Sequence, residues 1–242
     1  LLAIEWDDGP NADYDSASYK TALLETVRQP GTVMRDEGDA DAALAAADRT
    51  VAAEYYAPHL AHAPMEPPAA VASVTADFCE IWAPTQHPQS LIPMAQAVTG
   101  LPPEQIRVNV TLLGGAFGRK SKCDFAEEAV YLSKQLGAPV LVQWSREDDI
   151  RHDYFHSVSA QRLEAGLDAE GSVVAWRHRL CYPSIMSTFD PSVREAAPLE
   201  LGLGAQNVPY AIPNLRLETG PADAKVRIGW LRSVCNIFQS FG

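Results

Sequence analysis

The sequence is poor in several features that would each indicate a function. Its 242 residues include only 4 cysteines and no Cys-x-x-Cys pair, which excludes zinc knuckles and the ligand spacing of plant-type iron–sulfur proteins. No apolar run approaches the roughly 20 residues that a membrane-spanning helix needs. Basic residues are outnumbered, since 19 lysines and arginines face 31 acidic residues and give a formal charge of −12. We therefore expect no binding to nucleic acid or to an anionic membrane.

Strand and helix patterns mix along the chain and favour an α+β fold over a doubly wound one. Helices are predicted over residues 16–28, 39–47, 88–100 and 124–136. Strands are predicted over residues 1–6, 32–38, 49–56, 69–76, 78–82, 105–112 and 139–144, the last of them buried, and over a long antiparallel hairpin of 155–168 and 173–182. Beyond Tyr182 the many prolines and glycines indicate extended loops. Both ends stop within a pattern, so we expect a piece of a longer polypeptide.

The most informative stretch is the glycine loop, residues 112–120, with the sequence Leu-Leu-Gly-Gly-Ala-Phe-Gly-Arg-Lys. It lies between a predicted strand and a predicted helix, where glycine lets a ligand approach the backbone closely. Successive N–H groups on such a loop can converge on an anion or an oxo group, and basic residues follow Gly118 at once. The spacing fits neither a phosphate-binding P-loop nor a dinucleotide fingerprint. The alternative is a tight turn that binds nothing.

Two loops that are bounded by prolines also carry polar side chains. His59, His62 and Glu66 lie in an extended stretch, where they are either metal ligands or hydrogen-bonded structural residues. Gln86 follows a strand that ends at Pro84, and its amide offers both a donor and an acceptor to an oxo or hydroxo ligand. An ordinary loop role is the alternative for Gln86.

A zinc-dependent hydrolase is the sharpest rival hypothesis. On a helix, His152 and His156 would share one face, and Asp153 would stand where a zinc peptidase places its glutamate base. Against this, the residues after His156 alternate as in a strand, and no third ligand is obvious downstream. A binding domain without any cofactor is the other alternative.

Five segments, taken in order, resemble the large molybdenum-cofactor-binding subunit of the xanthine oxidase family of molybdenum hydroxylases, especially the isoquinoline 1-oxidoreductase β-subunit and related aldehyde oxidoreductases. These segments are residues 63–67, 82–86, 114–120, 144–149 and 230–233. The resemblance covers the chain from about residue 7 onward. Each motif is weak alone, but the common order makes the set specific.

The resemblance implies that six residues contact the cofactor: Gln86, Gly114, Gly115, Phe117, Gly118 and Arg232. Gln86 would hydrogen-bond an oxygen ligand of molybdenum. The backbone amides of the glycine loop would face the metal centre and the pterin, and Arg232 would lie on a second cofactor-contacting loop. The cofactor would be a molybdopterin in its cytosine dinucleotide form, whose phosphates suit nearby amides and cations.

The same resemblance implies the hydroxylation of a carbon next to nitrogen in a heteroaromatic ring, or of an aldehyde carbon, with oxygen from water. The catalytic base would be a glutamate outside this chain, so we expect the chain alone to be inactive and to lack the cofactor. Electrons would leave through a separate [2Fe–2S] subunit and often through a cytochrome. The location of several relatives favours the periplasm over the cytoplasm.

Two positions depart from the family pattern. Ala116 takes the place of the usual middle glycine, so the loop should keep its path unless that residue needs a positive φ. Ser121 stands where xanthine-specific members carry a substrate-binding glutamate, which argues against purine substrates. Along the chain, residues 1–50 would be the tail of a preceding small α/β domain with a linker, and residues 51–242 the N-terminal part of the molybdopterin-binding domain.

Overall fold

The computed structural model describes Ala3, Glu5, Asp7 and residues 9–242, and over them it has the α+β architecture that the sequence predicts. The helices α1 to α7 of this part are Ser16–Arg28, Ala40–Ala46, Leu91–Thr99, Asp124–Leu136, Arg146–Arg151, Pro198–Leu201 and Asn236–Gln239. The strands β1 to β11 are Thr32–Glu37, Arg49–Ala57, Ala69–Val74, Cys79–Ala83, Ile106–Val110, Val140–Gln143, Phe155–His156, Ser159–Leu167, Val173–Cys181, Leu215–Gly220 and Ile228–Gly229. Short 3₁₀ helices span Gly9–Asn11, Pro88–Ser90, Pro103–Gln105, Arg119–Ser121 and Ile185–Thr188.

The first of two compact units comprises Leu1–Leu60, Phe155–Ile228 and Ser233–Gly242. Its five-stranded sheet has the order β1-β10-β9-β8-β2, in which β10 and β9 are parallel and the other neighbours are antiparallel. Helix α1 packs on β8 and β9 and buries Leu23 and Val27 in the core of this unit. The apolar face of one amphipathic helix thus covers the middle of the sheet.

The second unit comprises Ala61–Tyr154 and Gly229–Arg232. Its four-stranded sheet has the order β5-β4-β3-β6, in which β4 and β5 are parallel and are connected through α3. Helix α4 packs across β3 and β6 and buries Phe125 fully. Gly137, with φ of 64°, ends α4 in the left-handed conformation that glycine adopts without strain. The glycine loop connects β5 to α4, both of which are anchored in this core.

Most predicted elements are confirmed. Helices α1 and α4 have the predicted bounds, and the hairpins β3–β4 and β8–β9 are antiparallel as expected. The helix predicted over 88–100 begins as a 3₁₀ turn, Pro88–Ser90, and continues as α3. The strand predicted over 1–6 falls on a stretch in which residues 1, 2, 4 and 6 lie outside the described residues. The predicted domain boundary near residue 50 stays a prediction, since the two compact units divide the chain elsewhere.

Two predictions about strands are wrong. Residues 139–144 were expected to be buried, but β6 is an edge strand and Leu141 is 63% exposed. Beyond Tyr182 the chain contributes more than loops, because β10 lies inside the sheet between β1 and β9. Partners from distant parts of the chain determine both outcomes, and a local pattern does not contain them.

A buried histidine makes the stability of the first unit depend on pH. His178 of β9 is 4% exposed, its Nε2 lies 2.9 Å from Gln161 Oε1, and burial lowers the pKa of its imidazole to about 4. An unfolded histidine has a pKa of about 6.5 and therefore takes up its proton first as the pH falls. We expect the contribution of His178 to the free energy of unfolding to be complete above about pH 6.5. It should fall toward pH 4 by at most ~1.4 kcal/mol per pH unit.

Urea unfolding of the wild type and of His178→Gln between pH 4 and 7 measures this slope. The glutamine amide still donates to Gln161 but does not titrate, so the variant should show a shallower pH dependence. Equal slopes in the two proteins would contradict the assignment.

Candidate functional site

The glycine loop has an unusual backbone. Gly115, Phe117 and Gly118 have positive φ angles of 97°, 57° and 112°. Such a conformation is strained for Phe117, because a left-handed residue with a side chain costs about 1–3 kcal/mol. Ala116 is not among the residues with positive φ, so an alanine is compatible with the path of the loop, as the sequence predicts.

Three successive amides in the middle of the loop have no hydrogen-bond acceptor within the described part of the chain: those of Gly115, Ala116 and Phe117. The amides on either side are paired. Gly114 N–H donates to Glu66 Oε2 at 3.0 Å, and Gly118 N–H donates to Gln86 Oε1 at 2.9 Å. A run of unpaired donors held from both ends suits an anionic or oxo ligand. The loop therefore fits a molybdopterin.

Gln86 is bound to the loop by both its backbone and its side chain. Its N–H donates to the Lys120 carbonyl at 3.0 Å, while its Oε1 accepts from Gly118. Because a backbone N–H can only donate, the side-chain oxygen must face Gly118. The exposed side chain then offers its NH₂ group to another partner.

The segment 229–232 contacts the same loop. Arg232 N–H donates to the Phe117 carbonyl at 2.7 Å. A Cβ atom on Gly118 would lie 1.8 Å from the Trp230 carbonyl oxygen, so only glycine allows this approach. The Arg232 side chain is exposed and forms no ion pair with any described residue. Backbone contacts thus bring Gln86, the glycine loop and Arg232 together, although they lie far apart in the sequence.

The first two cations after Gly118 are engaged with carboxylates. Lys120 is fully buried, and its Nζ donates a hydrogen bond to Glu66 Oε2. Burial of Glu66 raises the pKa of its carboxyl, but the bonds from Lys120 and from the Gly114 amide outweigh burial and hold the pKa below its usual value. Glu66 therefore has the structural role that was the alternative to metal binding. Lys120 holds one end of the loop.

Arg119 is the second engaged cation, and it leads into a buried cluster. Its guanidinium forms two bonds of 2.9 Å to Asp124, and its Nε lies 3.1 Å from Asp153 Oδ1. Asp153 also accepts the His62 amide at 2.6 Å and lies 3.0 Å from His62 Nδ1. Burial raises the pKa of Asp153, but the His62 bonds and the Arg119 charge outweigh it, so the pKa is lowered.

The zinc hypothesis is wrong in its geometry. Helix α5 ends at Arg151, so His152 follows the helix and His156 lies in strand β7. Across Ala3, Glu5, Asp7 and residues 9–242, no group of three or more His, Cys, Asp or Glu residues could hold a metal ion. His59 Nδ1 lies 2.8 Å from the His156 carbonyl, which is a structural contact.

Sequence reasoning missed the role of Asp153, which it considered only as the base of a zinc site. It also missed the burial of Arg119 and Lys120, which it noted only as basic residues that follow Gly118. A signal for both was present. Charged residues are dense over residues 146–153, and a basic pair that enters a packed core requires carboxylates nearby.

Comparison with known proteins identifies a family and several relatives. The family model of the molybdopterin cofactor-binding domain matches residues 25–222. The B subunit of nicotinate dehydrogenase from Pseudomonas putida is 27% identical over 99% of this chain and 21% of its own length. The beta subunit of isoquinoline 1-oxidoreductase from Brevundimonas diminuta is 34% identical over 53% of this chain and 17% of its own length. The resemblance noted from the sequence is thereby confirmed.

A solved structure shows the same fold. Aldehyde oxidoreductase from Desulfovibrio gigas superposes with a TM-score of 0.66 at 22% identity, over 85% of this chain and 22% of that one. The chain spans about a fifth of the length of each of the two curated relatives described above. None of the helices in the described part of the chain has the length and apolar character to cross a membrane.

We expect Gly118→Ala to lower stability more than a positive φ alone explains. The left-handed conformation costs alanine about 1–3 kcal/mol, and the overlap with the Trp230 carbonyl adds to that cost. Gly137→Ala is the matched control, because Gly137 also has positive φ but no atom lies within 4 Å of the place that its Cβ would take. Urea unfolding compares the two variants. Equal losses of stability would show that the close approach to Trp230 is not restrictive.

Proposed function

Because the chain belongs to the molybdopterin cofactor-binding domain family, we propose that it holds part of a molybdopterin in an oxidoreductase that hydroxylates an N-heteroaromatic or aldehyde substrate with oxygen from water. The glycine loop carries this proposal, through three successive amides at residues 115–117 that no described residue accepts, between two amides that are held by side chains. When bound, the cofactor supplies the redox chemistry.

Each residue of the candidate site has a defined task in this proposal. The amides of Gly115, Ala116 and Phe117 donate hydrogen bonds to the cofactor, and the NH₂ group of Gln86 donates to an oxygen on it. These dipoles are fixed before binding, so they need no reorganisation when charge develops. The exposed Arg232 guanidinium faces no carboxylate among the described residues, so it is suited to a phosphate or another anionic group.

The names of the relatives support the substrate class. Nicotinate dehydrogenase and isoquinoline 1-oxidoreductase are both named for N-heteroaromatic compounds, and the similar structure is an aldehyde oxidoreductase. Purines are not expected as substrates. Ser121 supplies a hydroxyl at the position where xanthine-specific members carry a substrate-binding glutamate. This hydroxyl accepts a hydrogen bond from the Trp230 indole N–H at 3.3 Å.

Further features of the parent enzyme follow from the same proposal. Two relatives are named as subunits, which supports a multi-subunit enzyme. We propose a [2Fe–2S] partner subunit, in some cases a cytochrome, a cytosine dinucleotide form of the cofactor, and a periplasmic location. The catalytic base would be a glutamate that this chain does not supply, and residues 51–242 would belong to the molybdopterin-binding domain.

Metal analysis of the full-length parent, purified with its partner subunit, is the direct test. We expect molybdenum in a ratio approaching one per large subunit and release of a pterin on denaturation. A folded, complete complex without molybdenum would contradict the proposal and favour a cofactor-free binding domain.

Gln86→Glu tests the donor role in the same complex. A glutamate still accepts from Gly118 N–H but has no NH₂ group, so we expect kcat to fall about 100-fold, as for loss of a donor that stabilises developing charge. The melting temperature should change little. Gln89→Glu is the matched control, because Gln89 is a nearby exposed glutamine with the same change in charge. A comparable fall in kcat for both variants would indicate a general effect of charge.

A further inference from the structure

One carboxylate joins stretches of the second unit that are distant in the sequence. Asp153 Oδ2 accepts the His62 amide at 2.6 Å and faces His62 Nδ1 at 3.0 Å, and its Oδ1 lies 3.1 Å from Arg119 Nε. The side chains of Asp153 and Arg119 have no exposed surface. Without Asp153, the buried Arg119 would lose one of its two carboxylates and His62 would lose both of its bonds to this residue.

The second ring nitrogen of His62 contacts segment 229–232. Its Nε2 lies 3.2 Å from the Trp230 carbonyl oxygen. Both ring nitrogens therefore face oxygen acceptors, and the ring cannot rotate without breaking a contact. The same Trp230 carbonyl lies against Gly118, where it leaves no room for a Cβ atom. The path thus runs from Asp153 through His62 to the point where segment 229–232 meets the glycine loop.

Arg119 provides a second path to the same loop. Its guanidinium lies over the rings of Trp144 and Tyr154, 5.2 Å from each centroid, and it follows Gly118 directly. Asp124, whose side chain is 19% exposed, also binds this guanidinium. Asp153 and Asp124 therefore share one partner. The ring of His62, in contrast, has its two nitrogens directed at Asp153 and Trp230.

We propose that Asp153 is a positioning residue, which through His62 and Arg119 sets how segment 229–232 and the glycine loop stand relative to each other. In the proposed function, on which this inference rests, the loop amides and the Arg232 guanidinium contact the cofactor. Asp153 touches neither substrate nor cofactor. It holds the Arg232 amide on Phe117 and so determines where the amides of residues 115–117 point.

A readout without the cofactor tests the positioning itself. In the full chain labelled with 5-fluorotryptophan, Trp230→Phe identifies the Trp230 ¹⁹F signal. We expect Asp153→Asn to shift this signal. Asp77→Asn, which makes the same change of charge on the exposed turn between β3 and β4 of this unit, should leave the Trp230 signal in place. His62→Gln, which buries no unpaired charge, is a second variant and should also shift the Trp230 signal. An unmoved Trp230 signal in folded His62→Gln or Asp153→Asn would overturn the proposal.

The loaded parent complex tests the consequence for the cofactor. We expect Asp153→Asn to change the Mo(V) electron paramagnetic resonance spectrum and to lower kcat about 10- to 100-fold, as for other residues that orient a metal site indirectly. The Asp77→Asn spectrum should match the wild type. A wild-type spectrum and kcat in molybdenum-loaded Asp153→Asn would refute the positioning role. If the wild-type complex lacks molybdenum, the proposed function fails, and the ¹⁹F experiment still decides the positioning.

Discussion

A guanidinium group that water does not reach determines how the glycine loop is anchored. A buried charge is tolerated only when it is paired and hydrogen-bonded, so Arg119 requires carboxylates from the surrounding chain. Asp124 binds the guanidinium through two hydrogen bonds, Asp153 adds an ion pair at Nε, and Glu66 pairs with the neighbouring Lys120. The ion pairs lie at the C-terminal end of the loop, and Glu66 also reaches back to the Gly114 amide.

The consequence is a loop whose ends are held firmly while three amides in its middle have no acceptor among the described residues. Phe117 is strained there, and the Trp230 carbonyl leaves no room for a Cβ atom on Gly118. Strain of this kind persists only where the surroundings over-determine the backbone. The loop backbone is held by the buried ion pairs, by Gln86 and by the Arg232 amide. The unusual backbone and the polar anchors are two parts of one arrangement.

The features that could be predicted from the sequence are local ones. The bounds of α1 and α4 were predictable because Asp15 caps one helix and Gly137 ends the other. The glycine loop was visible because three glycines stand between a strand pattern and a helix pattern. Strand β10 and the exposure of β6 were not predictable, because each depends on which strands of the sheet flank it. The density of charge over residues 146–153 indicated that carboxylates were available, but the pairing of Asp153 with His62 and Arg119 joins stretches far apart in the sequence and was not predictable. The family resemblance, and not periodicity, indicated Arg232.

The burial of Arg119 and Lys120 also determines how the proposed site would respond to its ionic surroundings. Arg119 and Lys120 are buried and paired with carboxylates, so their charges create little electric field at the loop surface. Recognition there depends on amide dipoles and on the exposed Arg232 guanidinium. Dissolved salt screens exposed charges over roughly 10 Å at 0.1 M but hardly reaches buried pairs or hydrogen bonds. A chain with a formal charge of −12 can in this way offer a local site for an anionic group, in which salt screens the Arg232 guanidinium but leaves in place the buried pairs that hold the loop.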